Sequence, residues 1–168
     1  NDFASYWGLD KDDYKGAVDW IINRRLRKID VGRVSYDAGD LRKTRYFINA
    51  MYVGLGARFV WISNGTRRFW GMQWLSYLSS MFLLLFERKL HRIDMKINGE
   101  HIQDTIMTVC IGSARGYGLT PSAVPYNGWL DVSVVHRPEL LQLIKGLWLL
   151  VNGRLLNLKV VKPYRTHK

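Results

Sequence analysis

The chain has 168 residues, 48% of them apolar and 13% aromatic, which is enough for one domain with a proper core and excludes a disordered chain. Twenty-five Lys and Arg against 14 Asp and Glu give a net charge of +11, which favours an anionic partner. A single cysteine, Cys110, excludes an internal disulfide and suits a reducing compartment, with the thiol as a small core residue. No secretory signal peptide is read at the start, and the first residue is not Met, so the true start is expected upstream.

The chain opens on Asn1-Asp2-Phe3-Ala4, where Asn-Asp reads locally as a helix N-cap. Residues 12–25 predict an amphipathic helix whose apolar face is Tyr14, Ala17, Val18, Ile21 and Ile22. A strand follows over Lys28–Tyr36, then a polar turn from Asp37 to Lys43, then a strand over Arg45–Val53 that carries Phe47 and Asn49 ahead of Gly54. From Phe69 to Phe86 no charge occurs. Gln73, Ser76, Ser79 and Ser80 form a polar stripe at helical spacing, so this segment predicts an amphipathic helix packed on the domain or touching a membrane surface, not a span.

Leu90–Ile97 and Glu100–Ile111 predict a hairpin closed by Asn98-Gly99, with Ile93, Met95 and Ile97 on one face. Next comes a Gly-rich loop with Gly112, Gly116 and Gly118, stiffened by Pro121 and Pro125. Asn127-Gly128 turns the chain into a strand over Trp129–Val135. Pro138 starts a helix with Leu140, Leu141, Ile144, Leu147 and Trp148 as its stripe, and Asn152-Gly153 ends it. Leu155–Val161 predicts a last strand. The sum is an α+β domain centred on a β-sandwich, with about three helices. The four histidines are scattered, without metal-ligand spacing.

Several stretches together resemble the diacylglycerol kinase-like lipid kinases. They are Asn1-Asp2-Phe3-Ala4, Ile29-Asp30-Val31-Gly32, Phe47-x-Asn49 with Gly54, and the Gly-rich loop followed by Pro121-x-Ala123 and Asn127-Gly128-x-Leu130-Asp131-Val132. The likeness is to the second, C-terminal domain of the NAD kinase/diacylglycerol kinase-like fold, and it covers nearly all of residues 1–168 as a single domain. It implies an ATP-dependent kinase that phosphorylates a lipid hydroxyl, in the cytoplasm or peripherally at the membrane. It also implies that Asp2 belongs to an acidic cluster handling magnesium (Mg2+) and phosphates, and that Asn1 and Asn49 meet the nucleotide. A structural magnesium is implied at Val124, Asn127 and Trp129, but Asn127 replaces the family's usual Asp, and a neutral amide is a poor magnesium ligand.

The family's Gly-Gly-Asp-Gly-Thr phosphate loop and its Asp-Gly-Glu segment, whose Glu is the general base, do not occur in this sequence. The chain is therefore expected to be a fragment, lacking an upstream nucleotide-binding domain and a downstream tail, and inactive alone. A sphingosine- or ceramide-type kinase and a non-catalytic basic module for membrane surfaces are the alternatives. The expected partners are a lipid substrate and an anionic membrane surface, met through Arg24-Arg25, Arg67-Arg68 and Arg88-Lys89. Nucleic acid is not expected, since the basic residues are dispersed and no reader motif accompanies them.

Overall fold

In the computed structural model, residues 2–10, 12–23, 26–58, 89–115, 119–152 and 154–167 are described. The elements among them are α1 (Asp2–Tyr6), α2 (Tyr14–Ile22), β1 (Gly32–Ala38), β2 (Leu41–Phe47), β3 (Ala50–Gly54), β4 (His91–Ile97), β5 (Glu100–Gly112), β6 (Leu130–His136), α3 (Leu140–Val151) and β7 (Val161–Thr166). The expected α+β architecture holds. The apolar segment 69–86 and the pairs Arg24-Arg25 and Arg67-Arg68 lie outside the described residues, as does Arg88. Among the described residues no helix is long and apolar enough to cross a membrane.

β5 organises the domain. Its second half lies between β3 and β6, with Val109 paired to Val53 and to Val134, and β7 follows on the far side of β6. Its first half pairs with β4 through the Asn98-Gly99 turn, where both residues take positive φ, as an Asn-Gly hairpin requires. A ladder irregularity between Ile106 and Thr108 bends the strand where the two halves meet. The tip of the β4–β5 arm comes back to the far edge, where the Asn98 side-chain amide donates to the Arg165 carbonyl of β7 at 2.7 Å.

That curl makes the sandwich. Ile93, Met95, Ile97 and Ile102 of the arm close over Val109, Ile111, Val132, Val134 and Tyr164 of the sheet. The opposite face carries a second apolar cluster of Val135, Leu149 of α3, Leu158 and Val161. On the arm's outer face Asp94 accepts from Gln103 and pairs with His101, and these bonds, His101 first, hold its carboxyl below the usual range.

Several boundaries differ from the sequence reading. The turn expected over Asp37–Lys43 shrinks to Gly39-Asp40, since β1 runs to Ala38 and β2 already starts at Leu41. The first strand begins at Gly32 and not Lys28, because Asp30 is spent on a loop contact described below. Arg45–Val53 is not one strand. β2 ends at Phe47 and β3 starts at Ala50, and the two belong to different sheets, so the chain changes partners at Ile48-Asn49. The last strand is Val161–Thr166, while Leu155–Asn157 is a 3₁₀ turn whose neighbour Leu158 goes into the core. Pro163 is tolerated there because β7 is an edge strand, where a missing N–H costs no ladder bond.

α2 starts as predicted, with the Asp13 carboxylate accepting from Gly16 N–H at 2.8 Å, but Tyr14, Val18, Ile21 and Ile22 of its apolar face are all exposed.

Candidate functional site

Asn49 and Ser113 lie just past the paired ends of β3 and β5, where Ala50 faces Gly112. The backbone N–H groups of Ser113 and Ala114 both donate to the Asn49 carbonyl, at 2.9 and 3.2 Å, which fixes this corner. Ser113 is fully buried, yet among the described residues its Oγ has no hydrogen-bond partner, and neither does the buried Oδ1 of Asn49. A buried polar atom left unpaired costs about 1–3 kcal/mol, so two at one corner suit a polar ligand that arrives from outside. Asn49 was expected to meet the nucleotide; Ser113 was missed, and its one sequence signal is its place directly after the glycine that ends β5.

The loop over this corner is held from beneath. A Cβ on Gly112 would sit 2.4 Å from Thr120 Oγ1, so only glycine allows the loop to fold back this closely. Thr120 Oγ1 donates to the Ala114 carbonyl at 3.4 Å, and Ser133 Oγ of β6 donates to the Leu119 carbonyl at 2.5 Å. Cys110 lies below, fully buried, and burial pushes its thiol up to about 12. A thiol that stays protonated at neutral pH is a packing group, not a nucleophile.

The turn from Pro125 to Trp129 is tied at four points. Asp30 N–H donates to the Pro125 carbonyl at 2.8 Å, and Asp30 Oδ2 accepts from Gly128 N–H at 2.7 Å. Asn127 Oδ1 accepts from Trp129 N–H at 3.0 Å, and His167 Nδ1 donates to the Gly128 carbonyl at 2.8 Å. α1 docks on the same turn: Tyr6 and Tyr126 share a hydroxyl hydrogen bond of 3.3 Å, and the Trp7 ring lies against Tyr126 with the Arg27 guanidinium 5.4 Å from its centroid. Asp2 is the first residue of that helix, so the N-terminal motif is carried to the turn, while Asn1 lies outside the described residues.

The family-implied magnesium fits this turn poorly. Asn127 brings no charge, and its amide oxygen is already used by Trp129 N–H. The carboxylate at the turn is that of Asp30, whose Oδ2 accepts from Gly128 N–H. Among the described residues no group of three or more His, Cys, Asp or Glu could hold a metal ion. Hydrogen bonds within the chain thus do the holding here. Thermal unfolding is expected to show the same midpoint in millimolar magnesium and in EDTA, whereas Asp30→Ala costs about 1 kcal/mol through its lost acceptor. A midpoint that rises with magnesium, but not with sodium at equal ionic strength, contradicts this.

The comparisons with known proteins agree with the fold. The model of the YegS C-terminal NAD kinase beta sandwich-like domain matches residues 49–168. The diacylglycerol kinase of Bacillus subtilis (strain 168) is 24% identical over 161 residues, covering 94% of this chain and 50% of that protein. A crystal structure of a diacylglycerol kinase from Bacillus anthracis superposes with a TM-score of 0.60 at 15% identity, covering 99% of this chain and 52% of that one. Another chain from that organism, described provisionally as a diacylglycerol kinase, gives 0.64 at 14% identity over 99% of this chain and 53% of its own. The structures show a shared fold, and the chain spans about half the length of these relatives. The match over residues 49–168 places the chain in the YegS C-terminal β-sandwich-like domain family, within the NAD kinase/diacylglycerol kinase-like proteins.

Proposed function

We propose that this chain is the second domain of an ATP-dependent lipid kinase of the diacylglycerol kinase-like class, acting on a lipid hydroxyl at a membrane surface from the cytoplasmic side. Family membership supports the kinase class. The observation that carries the site is the corner at Asn49 and Ser113, where two buried polar atoms have no partner among the described residues. In this reading Asn49 Oδ1 accepts from an N–H or O–H of the nucleotide and Ser113 Oγ adds a second contact. Asp2 would be one of the acidic residues that hold magnesium, which would supply charge neutralisation for the transferred phosphate. The turn at Pro125–Trp129 positions α1, and with it Asp2, without taking part in chemistry. Phosphoryl transfer depends on positioning and charge neutralisation, and the phosphate loop and general base come from sequence other than these 168 residues.

A chimera tests this: the matching half of the Bacillus subtilis relative is replaced by this chain and assayed with ATP, magnesium and diacylglycerol, with sphingosine and ceramide as alternative acceptors. Phosphatidic acid should form in the chimera and not with the chain alone, and Asn49→Ala in the chimera should cut turnover about 10–100-fold. A folded chimera that phosphorylates none of these lipids, or equal turnover by the chain alone, rejects the reading.

A further inference from the structure

β1 and β2 form a two-stranded ribbon, with Gly32 opposite Phe47 at its base and Ala38 opposite Leu41 at its tip, across the Gly39-Asp40 turn. It is a sheet of its own, and neither strand packs broadly on any other described strand or helix. Each strand has seven residues, so the ribbon extends roughly 20 Å. An isolated hairpin is marginal in water. This one is held at its base, where the Phe47 ring covers Gly32 and Asp30 ties the preceding segment to the Pro125–Gly128 turn. Beyond that base it offers unusual residues to solvent: Leu41 is 67% exposed and Tyr46 69%, and Tyr36 is also exposed.

The ladder register separates two faces, because directly paired residues point the same way. One face carries Val34 opposite Arg45, Tyr36 opposite Lys43, and Ala38 opposite Leu41. The other carries Arg33 opposite Tyr46, Ser35 bonded to Thr44 at 3.1 Å, and Asp37 opposite Arg42. The first face is therefore an apolar and aromatic row, ending in leucine at the tip, flanked by two cations and by no carboxylate. On the second face an acid stands opposite one of the cations.

We propose that the first face of the ribbon is a membrane-docking surface that sits on an anionic lipid bilayer. Leu41 enters the headgroup layer, Tyr36 lies at the interface, and Lys43 and Arg45 meet lipid phosphates. Aliphatic, aromatic and basic side chains in that order suit the change from acyl chain to headgroup to water. The net charge of +11 supplies the long-range attraction that brings the face down. The proposal deepens the lipid-kinase reading, on which it rests for the presence of a bilayer. It places the contact on residues other than the arginine pairs expected from sequence.

Vesicle co-sedimentation without nucleotide tests it separately from catalysis. The chain should bind phosphatidylglycerol vesicles, bind phosphatidylcholine weakly, and lose binding at high salt, since these charges are screened over about 8 Å at physiological ionic strength. The double variant Lys43→Gln/Arg45→Gln should bind roughly thirtyfold more weakly, about fivefold per cation near an anionic surface. Leu41→Ser should weaken binding with the net charge unchanged. The opposite-face double Arg33→Gln/Arg42→Gln removes the same charge and should cost much less. All substitutions are at exposed positions, and an unchanged circular dichroism spectrum confirms folding. Equal losses from the two doubles reduce the effect to bulk charge and overturn the proposal. So does absent vesicle binding, binding to single-stranded RNA in its place, or ribbon variants that abolish self-association of the chain but leave vesicle binding intact. If the chimera is inactive while vesicle binding follows the ribbon, the kinase reading falls and the docking face stands.

Discussion

Ile106→Ala is expected to destabilise the chain by about 2–5 kcal/mol, the range for removing a buried branched side chain and leaving a cavity. Ile106 is 1% exposed and stands where β5 bends, paired with His91 of β4 on one side and with His136 of β6 on the other. It belongs to the core cluster in which the β4–β5 arm meets the main sheet. A hole at this position cannot be closed by one layer relaxing alone, since both layers are covalently the same strand. Denaturant unfolding measures the loss. A change below 1 kcal/mol would mean that the arm does not pack over the sheet as described. Val53→Ala, on the core-facing side of β3 but outside the core cluster, is the matched control and should change little, because Val53 is half exposed.

The second large effect is expected at Gly54, the last residue of β3. Its φ is +82°, and a Cβ there would sit 2.7 Å from the Met107 carbonyl oxygen, a backbone atom that cannot swing aside. Gly54→Val therefore meets two penalties: roughly 1–2 kcal/mol for a side chain in left-handed backbone and about 1–3 kcal/mol for overpacking. Gly39 isolates the first of these. It has φ +64° at the ribbon tip and open space around its missing Cβ, so Gly39→Ala should show the conformational penalty alone. Thermal unfolding of both variants separates the terms, and equal losses would show that the contact with Met107 is not felt. The contact matters because it keeps β3 against the second half of β5, which aligns Asn49 with Ser113.

Much of this domain was legible in the residues. Asn98-Gly99 specified its hairpin because few dipeptides enter two consecutive positive-φ positions cheaply, and the alternation of Ile93, Met95 and Ile97 set which face of β4 is buried. Asn127-Gly128 marked its turn through Gly128, which takes φ +74° at no steric cost, and the wording around it, with Asn49, pointed to the family that the comparisons then showed. What the sequence could not supply was the choice of partner. Arg45–Val53 is uniformly strand-like, and only the tertiary structure divides it, because each half pairs with a different strand. Ser113 is an ordinary loop serine until burial leaves its Oγ without a partner. Asp30 is a motif residue until the fold brings Gly128 N–H to within 2.7 Å of its carboxylate. Local propensity and periodicity are set by neighbours within a few residues, whereas pairing, desolvation and exposure depend on chain segments far apart in sequence.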